Sequence, residues 1–156
     1  MRKLSMRDEY GSCSSSVVDS IEGRLGIRFP ADYREFLYEM NGGYLEQEND
    51  SFYDAVGHID QLPVDVMELY GVGAGERASE LVDTIKLYRN RIPDCMIPVG
   101  SDSFGNQICL VTTQEDFGKI YLWIHDEVGQ GQHDSLVYLI SNSFTDFVDG
   151  LTEYRD

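Results

Sequence analysis

Leu25-Gly-Ile-Arg-Phe-Pro-Ala-Asp-Tyr-Arg-Glu-Phe-Leu-Tyr-Glu-Met-Asn-Gly-Gly43 decides the fold. It stops one helix, starts a second and stops that one. Gly26 stands where a helix ending at Leu25 needs a residue able to turn left-handed. Pro30 suits the first turn of the next helix, where its missing N–H has no partner to lose. Tyr33, Phe36, Leu37 and Met40 follow at helical spacing and form one apolar face. Asn41-Gly42-Gly43 then ends the helix with residues tolerant of positive φ.

Upstream, Ser14-Ser15-Ser16 offers N-caps, and Asp19 lies where a capping box places its acid relative to Ser16. Val17, Val18, Ile21 and Leu25 predict a first amphipathic helix. Residues 1–12 are polar and are expected to be a loose lead-in. Downstream, Tyr44-Leu45 and Ala55-Val56 read as short strands. Val64, Val66, Met67 and Leu69, after the Pro63 break, read as a short helix or turn. Gly71-Val-Gly-Ala-Gly75 reads as a loop. Leu81, Val82, Ile85 and Tyr88 share one face of a third helix over about 78–90. Met96–Val99 and Gln107–Thr112 flank the turn-rich Ser101-Asp-Ser-Phe-Gly-Asn106 and read as a hairpin. Ile120, Leu122 and Ile124 alternate with Tyr121 and Trp123, a strand with two different faces. Ser135–Ile140 is a further strand. Ser143 caps a last helix bearing Phe144, Phe147, Val148 and Leu151.

Helices, then sequential strands, then a helix predict an α+β fold: one domain over 13–156, a mainly antiparallel sheet flanked by about four helices. The expected core comprises Ile21, Leu25, Phe36, Leu37, Ile97, Ile108, Leu110, Ile120, Leu122, Phe144 and Phe147. A chain of 156 residues buries a substantial core without disulfides or metals. Cys13, Cys95 and Cys109 are odd in number and lack a Cys-x-x-Cys spacing, so they read as thiols in a reducing compartment. No apolar run spans a membrane, and the N-terminus lacks the apolar segment of a signal peptide. A cytoplasmic location is expected.

The sequence offers little catalytic chemistry. His125-Asp126-Glu127 and His133-Asp134 match no zinc spacing. No Gly-x-Ser-x-Gly elbow is present. Gly71–Gly75 lacks the Lys-Ser/Thr ending of a phosphate loop. Asp102–Asn106 is too short for a calcium loop and reads as a turn, Gly105 and Asn106 supplying unusual φ. No catalytic residue, cofactor or metal ligand is expected.

Charge is more informative. The chain holds 28 acidic and 12 basic residues, a formal net charge of −16. Such a field repels nucleic acid and anionic membranes and attracts basic proteins. No Lys or Arg lies between Arg34 and Arg77, a stretch with ten acids, Glu35, Glu39, Glu46, Glu48, Asp50, Asp54, Asp60, Asp65, Glu68 and Glu76. A second base-free stretch runs from Ile120 to Tyr154. Within the first, Glu46, Glu48, Asp50, Phe52, Tyr53 and Asp54 form an acidic, aromatic-bearing segment. It is either a solvated loop or the surface that meets a partner, acids at its rim and an aromatic as anchor.

The ordered motifs resemble the SUKH superfamily. The quoted stretch is similar to its N-terminal signature, and Glu22 falls where the family often has an acid. Val66-Met-Glu-Leu-Tyr-Gly71, Ile92-Pro93, Met96–Asn106, Gly118-Lys-Ile-Tyr-Leu-Trp123-Ile-His125-Asp126 and Ser143-Phe144-x-x-Phe147 resemble later family segments, together spanning about 17–151. On this resemblance the fold-signature residues are Gly26, Pro30, Asn41, Gly42, Gly43, Asp102, Gly105, Asn106 and Trp123. The resemblance implies a non-catalytic binding module. The first expectation is an immunity protein that neutralises a basic toxin domain, a nuclease, through the acidic segment. The alternative is a regulatory or scaffolding module like the fungal cell-wall regulators. Those carry long disordered flanks, of which this sequence has almost none.

Overall fold

The computed structural model describes residues 1–7, 9–46, 52–53, 63–73, 80–125 and 137–153, of Phe52 the backbone alone. Among them, eight strands and four helices run in the order β1 Met6–Arg7, α1 Ser15–Leu25, α2 Ala31–Glu39, β2 Gly43–Leu45, β3 Phe52–Tyr53, β4 Val64–Leu69, α3 Leu81–Leu87, β5 Met96–Asp102, β6 Gln107–Val111, β7 Ile120–Trp123, β8 Val137–Ser141 and α4 Phe144–Asp149. Every strand pair is antiparallel, in the order β1-β2-β4-β5-β6-β7-β8, with β3 also paired to β4. The expected α+β architecture is what the chain adopts.

The quoted stretch behaves as read, with one shift. Gly26 is left-handed at φ 66°, the end of α1. Pro30 lies just outside α2 as its N-cap rather than inside its first turn. Glu22 holds the corner between the two helices. Its Oε2 accepts from the Phe29 N–H at 2.8 Å, and its Oε1 pairs with Arg34 at 3.2 Å. Tyr33, Phe36, Leu37 and Met40 are all buried. Phe36 lies against Tyr33 and against Phe144 of α4, ring centroids 5.9 and 5.0 Å apart. Asp32 ties the same helices together, its Oδ2 accepting from the Thr145 N–H at 2.9 Å. Ser143 caps α4 by accepting from the Asp146 N–H.

Asn41 is left-handed, φ 70°, and almost fully buried. Its side-chain amide donates to the Val72 carbonyl and its oxygen accepts from the Val72 N–H, both at 2.8 Å. Gly42 lets the chain pass close to β4's exit: a Cβ there would lie 2.7 Å from the Gly71 nitrogen. Gly43 opens β2 opposite Leu69. Asn41→Ala removes both bonds to Val72 and leaves a Cβ residue without Asn's tolerance of this conformation. It is expected to cost about 2–3 kcal/mol, read as a lower urea midpoint at unchanged slope.

The sheet is buried on both faces. Ile108, Leu110, Ile120 and Leu122 join the main core under α1, α2 and α4. Met96, Cys109, Val111 and Trp123 form a second cluster with Ile92 on the other face. There the Arg91 guanidinium sits over the Tyr88 and Trp123 rings, 5.0 and 5.5 Å from their centroids. All the expected core residues are buried except Leu25, which is half-buried against the core.

Four expectations need correcting. Val64–Leu69 is a strand, not a helix or turn: it lies between β2 and β5 and takes its conformation from both neighbours. The lead-in is not loose as a whole. Leu4 and Met6 are buried, and β1 extends the sheet at its edge. Ser14, not Ser16, caps α1 by accepting from the Val17 N–H, so the box with Asp19 does not form. Val17 is exposed, while Val18, Ile21 and Glu22 face inward. The expected Ala55-Val56 strand lies outside the described residues. No helix among those described is long and apolar enough to cross a membrane.

Candidate protein-binding site

One end of the sheet carries the β5–β6 hairpin turn. Val66 of β4 pairs with Asp102 at the end of β5, and Phe52 of β3 pairs with Asp65 of β4. β6 starts at this end, and its first residue, Gln107, pairs with Trp123 at the end of β7. Phe52 and Tyr53, from the segment expected to bind a partner, therefore pair with β4 at the end where the β5–β6 hairpin lies.

The hairpin's sequence explains its shape. Asp102 Oδ1 accepts from the Phe104 and Asn106 N–H groups at 2.9 and 2.8 Å, and Oδ2 from the Asn106 side-chain amide at 2.8 Å. A short acid at the start of a turn replaces the missing strand partners in this way. Gly105 has φ 86°, where a side chain would be strained. Asp65 accepts from the Ser103 N–H at 3.0 Å and from its hydroxyl at 2.6 Å, fixing the turn to β4. His125, just past β7, donates its backbone N–H to Asn106 Oδ1 at 3.2 Å and its ring Nε2–H to the Phe104 carbonyl at 2.8 Å. Asp102, Gly105 and Asn106 thus shape the turn itself. Trp123 is also buried, its indole N–H without a hydrogen-bond partner among the described residues.

The expected partner-contacting residues fall into three groups. Glu46 follows β2 and is half-buried. Its backbone N–H donates to the Ser5 carbonyl, and its Oε2 accepts from the Ser5 hydroxyl, both at 3.3 Å. Glu48, Asp50 and Asp54 lie outside the described residues, as does the side chain of Phe52. Tyr53 is only 6% exposed, with its ring 5.1 Å from Phe147. That ring is spent on the chain's own core. Asp65 and the exposed Phe104 also lie at this end and were not among the expected partner-contacting residues. The signal for Phe104 was there: a phenylalanine in a turn of Asp, Ser, Gly and Asn has no core to enter.

Catalytic chemistry gains no support here. Burial pushes the Cys109 thiol well above its ordinary pKa, so it stays a protonated core residue. Among the described residues no three His, Cys, Asp or Glu side chains converge as metal ligands do. His133 lies outside that set.

Comparison with known proteins agrees with the motifs. The model of the SMI1 / KNR4 family (SUKH-1) matches residues 12–150. A Bacillus subtilis (strain 168) protein described as "SPbeta prophage-derived uncharacterized protein YokK" is 31% identical, the match covering 85% of this chain and 71% of that protein. With the family model spanning nearly the whole chain, from before α1 to the end of α4, this protein belongs to the SMI1/KNR4 (SUKH-1) family.

Proposed function

We propose that this chain is an immunity protein. It binds a basic toxin domain, a nuclease, and masks it through an acidic face at the hairpin end of the sheet, without catalysis, cofactor or metal. It acts in the cytoplasm, where an escaping toxin would meet its target. The observation that carries the reading is the charge pattern: net −16, with no base from Glu35 to Glu76. The pairing of Phe52 with Asp65, on the strand next to the one that ends at Asp102, supports the choice of this end. A nuclease cleft is positive because it must attract phosphate, and an acidic protein occupies such a cleft without being cut. Family membership supports a role in binding proteins. The prophage origin stated for the relative suits a gene that travels with a toxin.

The test is protection. Cells expressing the toxin domain encoded beside this chain's gene are expected to survive when the chain is co-expressed and to die without it. Death in both cases contradicts the proposal.

A further inference from the structure

We propose that Phe104, at the tip of the β5–β6 hairpin, is the aromatic anchor with which this end of the sheet seats its basic protein partner. The inference rests on the binding role proposed above and names a residue at its centre.

Three observations carry it. Phe104 is 77% exposed, the highest value for a large hydrophobic side chain among the described residues. The hairpin needs Asp102 as acceptor and Gly105 for its positive φ, but nothing in its hydrogen bonding needs a phenyl ring at 104. An aromatic ring held in water with no part in the fold is what a hot spot looks like before its partner arrives.

The second observation is order. The backbone beneath the ring is held by Asp102, the preceding Ser103 by Asp65, and the Phe104 carbonyl by the His125 ring. A loop already fixed loses little conformational entropy on binding, so burying its ring returns nearly the whole hydrophobic gain.

The third is the charge around it, which selects the occupant. Asp65 holds the tip through Ser103, Asp102 is buried inside the turn, and the chain as a whole carries a net charge of −16. A partner here presents an apolar recess rimmed by Lys and Arg, whose guanidinium groups also stack on a phenyl face. Leu87 is nearly as exposed, at 68%, but sits on α3 between Lys86 and Arg89, the wrong sign for a basic partner. It serves as the control.

The experiment is calorimetric titration of the toxin domain encoded beside this chain's gene into wild type, Phe104→Ala and Leu87→Ala. Phe104→Ala is expected to weaken binding about thirtyfold or more, and Leu87→Ala less than about threefold. Phe104→Ala should unfold at the wild-type midpoint, because the ring lies outside the core. Hydroxyl-radical footprinting of the wild-type complex reads the ring without any substitution, and oxidation of Phe104 should fall several-fold on binding. Wild-type affinity in Phe104→Ala, or undiminished oxidation in the complex, overturns the anchor and leaves the immunity reading standing. A wild type that does not bind the domain overturns that reading and the anchor with it.

Discussion

Phe36→Ala is expected to destabilise the protein by about 3–5 kcal/mol. The ring is fully buried and sits at the junction of α2 and α4, against Tyr33 and Phe144. Alanine removes the apolar area the ring buries and leaves a cavity that two helices and a sheet cannot close. Asp32 already fixes the α2–α4 contact through Thr145, which limits collapse into the void. In a domain of this size the thermal midpoint should fall by on the order of 10 °C. Urea unfolding gives the free energy, with the slope as a check that the unfolded state is unchanged. A loss below about 1 kcal/mol would show that α2 is not the central core helix described here.

Changing Glu46, Glu48, Asp50 and Asp54 together to Lys is expected to abolish tight binding of the toxin domain. A single rim charge generally contributes only ~0–1 kcal/mol, so single changes should be quiet. Reversing all four turns attraction into repulsion across one stretch and raises the net charge by eight units, from −16 to −8. The association rate should fall about tenfold or more at low salt, and co-expressed cells should lose protection. The fold should persist, because Glu46 is only half-buried and its side chain contacts the Ser5 hydroxyl through one long hydrogen bond. Unchanged affinity and rate in this variant would remove the segment from the interface while leaving Phe104 to be judged by its own test.

Where local signals agreed with tertiary context, the sequence was a good guide. Helix α2 carried its stop, start and apolar stripe within one stretch. The β5–β6 hairpin was bracketed by turn residues, and β7 alternated in step with its two buried faces. Val64–Leu69 misled because Val64, Met67 and Leu69 suit a short helical turn as well as a strand. An irregular register between Val66 and Glu68 also breaks the strand's period. Only its place between two sheet neighbours decides it. β1 is two residues long, too short for any periodicity, although Leu4 and Met6 were spaced for a strand. At the site, charge was legible and geometry was not. The acids of 46–54 are plain in the sequence. That Tyr53 turns into the core against Phe147, while Phe104 points out, depends on which turns the sheet brings together.

The association rate of wild-type protein with the toxin domain, measured by stopped flow over a range of ionic strength, tests the central claim most directly. Masking by an acidic face predicts rapid association at low salt that slows steeply as salt screens the long-range field. A rate that does not change with salt, or no association at all, would contradict it.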